Sequence, residues 1–221
     1  MLNSCGLELP IPRLIDSVCL DGQTYTIMTR ISGKSLLLEI EEGNLTDEDL
    51  RAIVDEIYAV LRRLWTLEQP AGDVDKVVLS ASGHGLPDPM TDYMELYGPY
   101  RSILDCYLHS TRHLQDKVPW TEDDLRAKEP ELIKAVTSDP IVWVNIDLRP
   151  YNILVKDGRL SGIIDWERSG WLPRHWQLHA LRNWIRTNPL QLRRVWDETK
   201  FPEDTEAAFQ ASFKLLRYPI T

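Results

Sequence analysis

The run from Val142 to Glu167, VWVNIDLRPYNILVKDGRLSGIIDWE, constrains this chain more than any other stretch. Three apolar segments, Ile141 to Val144, Ile153 to Val155 and Leu160 to Ile164, are too short for helices and are bounded by turn residues, so they read as strands. Lys156-Asp157-Gly158 supplies the turn between the last two. The polar residues collect in the gaps: Asn145, Asp147, Arg149 and Asn152 in the first loop, and Asp165 and Glu167 after the last strand. A loop anchored by strands at both ends holds such side chains in fixed directions. A carboxylate at the end of an apolar strand is costly unless it is paired or coordinated.

The spacing suggests a chemistry. Asp147 and Asn152 stand in the D-x4-N spacing of a phosphotransfer catalytic loop, with Asp165 where a metal-holding Asp belongs. Asp147 then accepts the proton of a substrate hydroxyl, while Asn152 and Asp165 offer hard oxygen ligands to Mg²⁺ carrying a nucleotide's phosphates. Glu167 adds a ligand or fixes the loop. Each residue also has a plainer reading. Asp147 can cap the loop, Asp165 can be a turn residue before Trp166, and Glu167 can pair with Arg149, Arg168 or Arg174. Asn152 can bond the loop backbone with no metal present. His109 and His113 read as a helix surface rather than a zinc site, and Trp143, Trp166, Trp171 and Trp176 as core with a share in walling a pocket.

With NILV followed by GIIDWERSGW (Gly162 to Trp171), TYTIMTRISGKSL (Thr24 to Leu36) and Gly98-Pro99-Tyr100, the chain resembles the aminoglycoside phosphotransferase and choline kinase-like family, most narrowly its fungal members. The resemblance implies an α+β, protein kinase-like fold. Residues 1–33 are then a residual small-lobe hairpin and hinge, and residues 34–221 a helical C-terminal lobe. Two departures stand out. Where the family reads His-Gly-Asp, this chain reads Asn145-Ile146-Asp147, so an amide takes over the bracing of the loop. Upstream of the hinge no Gly-rich strand pair, strand Lys or helix Glu can be placed. Lys34, the first Lys, follows the hinge.

Loss of the phosphate grip removes several preorganised donors, each worth about 10²–10³ in rate. The expectation is therefore a small-molecule enzyme of secondary-metabolite type. It would run ATP-independent acid–base chemistry (isomerisation, elimination or cyclisation) with Asp147, Asp165 and Glu167 as the acting groups. Asn145, Arg149, Asn152, Trp166 and Trp171 support loop and substrate, and no cofactor is required. The alternatives are an ATP- and Mg²⁺-dependent phosphotransferase acting on a hydroxyl, with Asn152 and Asp165 as metal ligands, and a metabolite- or partner-binding relic.

Bulk properties narrow the partners. A net charge of −9 disfavours nucleic acid and anionic membrane surfaces. No apolar run approaches the ~20 residues of a membrane span. Cys5, Cys19 and Cys106 are odd in number and scattered, as expected of a reduced, cytoplasmic protein. Leu14 to Leu20 and Gln23 to Thr29 read as a hairpin around Asp21-Gly22, whose free edge suits pairing into a homodimer. A capped helix is expected from Asp47 to Leu67, with Thr46 and Asp49 as a capping box. A loop is expected over Ala71 to Thr91, then a helix over Tyr100 to Leu114 and a capped segment at Thr121. Helices over Trp176 to Trp196 and Pro202 to Leu216 close the chain.

Overall fold

The structure, a computed structural model, describes residues 2, 6–87, 96–111, 121–182 and 189–217. The chain opens with the hairpin β1 (Leu14–Leu20) and β2 (Gln23–Met28). Asp21 and Gly22 both take positive φ, 51° and 76°, as a two-residue hairpin turn requires. β2 ends one residue short of the expected Thr29, whose N–H still donates to Arg13 O at 2.9 Å. Then come β3 (Lys34–Ser35), α1 (Leu36–Glu41) and α2 (Asp47–Leu64). Lys34 ion-pairs with Glu42 at the surface, at 2.7 Å.

The helix α2 forms for the reasons its sequence announces. Thr46 Oγ1 accepts from Asp49 N, and the Asp49 carboxylate accepts from Thr46 N, which closes the capping box. Acidic residues fill the first turn and Arg62 and Arg63 the last, matching the helix dipole. Leu50, Ile53, Val54, Ile57, Val60, Leu61 and Leu64 form its buried stripe. It stops at Leu64 rather than Leu67, with Trp65 as its C-cap and tighter turns after it.

The expected loop after α2 carries two short strands, β4 (Leu79–Ser80) and β5 (Leu86–Pro87). The latter pairs with β6 (Leu96–Tyr97). Next come α3 (Ile103–Thr111), which begins later than Tyr100, α4 (Glu122–Lys128), capped by Thr121, and α5 (Pro130–Ser138). Residues 88–91 of the loop, the helix beyond 111 with His113, and Cys5 lie outside the described residues.

The polar run then unfolds as β7 (Ile141–Asn145), a 3₁₀ turn at Pro150–Asn152, β8 (Ile153–Lys156), β9 (Arg159–Ile163) and β10 (Ser169–Pro173). The three anticipated strands are present but divided between two sheets, ordered β4-β10-β7 and β3-β8-β9. The strand β10, entirely buried, was not anticipated because Gly170 and Pro173 interrupt its apolar pattern. Gly170 is required there, since a Cβ would run into the Leu79 carbonyl of β4.

Three helices close the fold: α6 (His175–Arg182), α7 (Leu190–Glu198) and α8 (Glu203–Arg217). The single helix expected over Trp176 to Trp196 is corrected to two. Pro189 is extended (φ −54°, ψ 144°) in front of α7, and a proline both lacks the helical N–H and biases its predecessor away from α.

The β7–β10 pair is sandwiched. Trp143 and Trp171, paired across the strands and edge-to-face at 5.3 Å, join the core built on α2 and α7. Val142, Val144 and Leu172 join the core built on α3, α5 and α8. Period-two alternation thus sends one strand's side chains into two cores, and the loop carrying Asp147 leaves from its end. No helix among the described residues is long and apolar enough to cross a membrane.

Candidate active site

The loop between β7 and β8 is held by its own side chains. Asp147 N donates to Asn145 Oδ1 at 2.9 Å. Arg149 N donates to Asp147 O at 2.8 Å, and Asn152 N to Arg149 O at 2.9 Å, which winds the chain into the 3₁₀ turn. Asn152 Nδ2 donates to Asp147 O at 2.9 Å and to Asp147 Oδ2 at 3.1 Å. The other carboxylate oxygen, Oδ1, lies 2.8 Å from Arg149 Nε in an ion pair whose side chains are 11% and 10% exposed. The buried charge is therefore met by a hydrogen bond at Oδ2 and by the Arg149 cation at Oδ1, where the contact lies outside hydrogen-bond geometry. Arg149 also stands 5.9 Å from the centre of the Tyr151 ring. Burial, with the Asp147 charge adding to it, raises the Tyr151 hydroxyl above its usual range.

A second loop crosses the first. Ile146 N donates to Arg168 O at 3.0 Å and Ile164 N to Asn152 O at 2.9 Å, so the segment carrying Asp165 and Glu167 is stitched to the segment carrying Asp147. Asp165 takes φ 59°, a left-handed backbone that Asp tolerates better than most residues. Trp166 Nε1 donates to Ile163 O at 2.8 Å, and Ser169 Oγ to Trp166 O at 2.7 Å, which fixes this turn.

The placements differ from the sequence expectation in three respects. Asp165 and Glu167 are exposed, so neither carries the burial cost expected of an inward carboxylate. Arg149 and Arg174, considered as partners of Glu167, are engaged elsewhere, with Asp147 and with Asp139 and Asp204. Trp171 is sealed inside the core against Trp143. Asn145 and Asn152 are both buried in the loop itself.

The donor set suits a hard cation. The amide hydrogens of Asn152 are committed to Asp147, which turns its Oδ1 the other way. Asp165 adds an exposed carboxylate. Among the described residues no three His, Cys, Asp or Glu side chains cluster as a metal cage. A Mg²⁺ site made of one carboxylate, one amide oxygen, waters and substrate phosphates needs none.

The pattern did not announce Gln177. It lies fully buried on α6, donating from Nε2 to Asn145 O at 2.9 Å and accepting from Asn145 N at Oε1 at 3.1 Å. The available signal was a neutral amide inside HWQLHAL, a helix segment with no polar face. Nor did the sequence reading single out a second buried cluster. His175 Nδ1 lies 2.9 Å from Asp139 Oδ2 and its Nε2 2.7 Å from the Tyr107 hydroxyl, while Thr205 Oγ1 donates to Asp139 Oδ1 at 3.0 Å. His179 Nε2 meets Ser212 Oγ at 2.6 Å. Burial pushes His175 below its ordinary range, with Asp139 opposing, and pushes His179 well below it.

The sequence profile of the APH phosphotransferase enzyme family matches residues 1–209. No curated protein matches. Among solved structures, a thermostable mutant of aminoglycoside phosphotransferase APH(4)-Ia in a ternary complex with ADP and hygromycin B superposes with a TM-score of 0.58 at 17% identity, over 94% of this chain and 67% of that one. The streptomycin-ATP-APH(2")-IIa ternary complex gives 0.55 at 14% identity, over 96% and 66%. At such identities the likeness establishes the fold. The chain spans about two thirds of the length of these neighbours.

Proposed function

The chain belongs to the phosphotransferase enzyme family, and from that premise we propose that it transfers the terminal phosphoryl group of ATP to a hydroxyl of a small molecule. The observation that carries this reading is the stitching of the two loops: Ile164 N to Asn152 O and Ile146 N to Arg168 O hold the Asp147 loop and the Asp165 turn as one unit. Phosphoryl transfer asks a protein chiefly for positioning and charge stabilisation. Asp147 would orient the acceptor hydroxyl and take its proton. Asn152 keeps the carboxylate in place through Nδ2, and Arg149 tempers its charge. Asn152 Oδ1 and Asp165 would hold Mg²⁺, which when bound neutralises charge on the phosphate oxygens. A cytoplasmic site of action is part of this reading, supported by Cys19 and Cys106, neither of which is in a disulfide.

A nucleotide-free reaction in the same cleft is the second reading, with Asp147, Asp165 and Glu167 in acid–base roles. What favours it is Arg149, a buried cation beside the base that can stabilise a developing negative charge without any phosphate. Calorimetric titration of ATP with and without Mg²⁺ separates the two. The expected result is Mg²⁺-dependent binding that Asp165→Ala abolishes. Asp147→Asn is expected to keep that binding while turnover falls by about 10²–10⁴. Absence of nucleotide binding overturns the first reading and moves the search to acid–base chemistry on metabolites.

A further inference from the structure

We infer that Gln177 is a positioning residue for the catalytic base, acting on Asp147 through the peptide and side chain of Asn145. β7 is the edge of its sheet, so the Asn145 N–H and C=O that meet Gln177 face away from β10. A neighbouring strand would normally satisfy such an edge; here one side-chain amide does so, reaching across 32 residues of sequence. Both groups of the Gln177 amide are spent on this single peptide. The next link is Asn145 itself, whose Oδ1 receives the Asp147 N–H at 2.9 Å. A shift of the Asn145 peptide therefore moves the acceptor that orients Asp147, and the Asp147 carbonyl and carboxylate carry the shift to Asn152.

The burial of Gln177 makes the arrangement specific. All seven residues from His175 to Leu181 are buried, so a primary amide in this helix has no water to fall back on. An apolar side chain of the same shape would fill the space equally well and leave the Asn145 peptide unpaired. A carboxylate would keep the acceptor, lose the donor and bring a charge into the core. A protonated carboxyl group offers one donor and one acceptor in the same geometry as the amide. The inference rests on Asp147 being the base of the proposed phosphoryl transfer, although the geometry of the brace does not.

The test uses Gln177→Met and Gln177→Glu in the full chain, with two independent readouts. Amide hydrogen exchange is expected to quicken about tenfold or more at Asn145 and Asp147 in Gln177→Met, beyond any uniform change across the core amides. Turnover of Mg²⁺-ATP with water as acceptor is expected to lose about 10–100-fold in kcat while the KM for ATP stays within about twofold, as for a misplaced group that binds nothing itself. Gln177→Glu is expected to match the original chain in acid and to fall toward Gln177→Met as pH rises through its carboxyl pKa, which burial sets above the ordinary ~4.3. Unchanged exchange at Asn145 and Asp147 in Gln177→Met overturns the inference whatever the turnover does. Changed exchange with an unchanged kcat overturns the positioning role. If the original chain does not turn over Mg²⁺-ATP, the phosphotransfer reading fails, and the exchange readout together with the pH response of Gln177→Glu still decides the brace.

Discussion

Two antiparallel strand pairs of similar composition have opposite fates in this chain. The β1–β2 hairpin carries Leu14, Ile15, Val18, Leu20, Tyr25, Ile27 and Met28, and every one of its strand residues is exposed. The β7–β10 pair carries Val142, Trp143, Val144, Trp171 and Leu172, all buried. Both have β-branched and aromatic residues, and both pair antiparallel, the hairpin with a register shift between Leu14 and Asp16. The difference lies in what covers them: helices on both faces of β7–β10, and no described element on either face of the hairpin. Hydrophobic stabilisation follows area removed from water rather than the apolar character of a strand. Similar side chains therefore hold the Asp147 loop in one place and contribute little to the fold in the other.

The largest effect that sharpens this contrast is expected from Trp171→Ala. It empties the centre of the first core opposite Trp143, and aromatic truncations of this kind cost about 3–5 kcal/mol. Urea unfolding is expected to show that loss, with β7 carrying the damage into the Asn145–Asp147 loop; a change below about 1 kcal/mol would mean that the pair is not the keystone its burial suggests.

An intermediate effect comes from acid. His175 and His179 sit beside the buried pair, and burial holds both below the ordinary His value of 6.5. The folded state therefore refuses a proton that the unfolded chain accepts. Stability contributed this way is complete above pH ~6.5 and declines as pH falls below it toward the depressed folded values, by up to about 1.4 kcal/mol per pH unit for each such His. At His179, which is hydrogen-bonded to Ser212, the neighbouring His175 adds to the effect of burial, whereas Asp139 partly offsets it at His175. His179→Leu is expected to flatten the stability–pH curve between pH 6.5 and 5 more than His175→Leu does; equal slopes in the original chain and His179→Leu would remove His179 as the cause. The hairpin has no histidine and should contribute nothing to this slope.

The contrast also explains what was legible in sequence. The placement of Asp147 and Asn152 in one loop was legible because a loop motif is local: the spacing D-x4-N survives whatever packs around it. The stripe and capping box of α2 were legible for the same reason. Gln177 was not, because its partner lies 32 residues away and nothing in α6 repeats with a polar period. β10 was hidden by Gly170 and Pro173, residues that depress a strand reading and that serve here to admit β4 and end the strand. The exposure of Asp165 and Glu167 was not legible either, since a strand's apolar run says that the strand is covered and not which way its last turn points.

The smallest expected effect tests the hairpin itself. Val18 and Tyr25 are register partners, and Leu20 and Ile27 share their face. Because Ile27 is already 52% exposed, Ile27→Lys should change unfolding stability by no more than about 0.5 kcal/mol. Its consequence is expected in association instead. Edge pairing with a second copy, the assembly suggested by the outer edges of this two-stranded sheet, would hide an apolar surface that monomers seldom display at this density. Light scattering on the original chain is then expected to give a dimer mass at micromolar concentration and a monomer mass for Ile27→Lys. A monomer mass for the original chain across that range removes edge pairing. It would also leave the hairpin with apolar residues that are neither packed inside the described chain nor shared with another copy, the opposite of β7–β10.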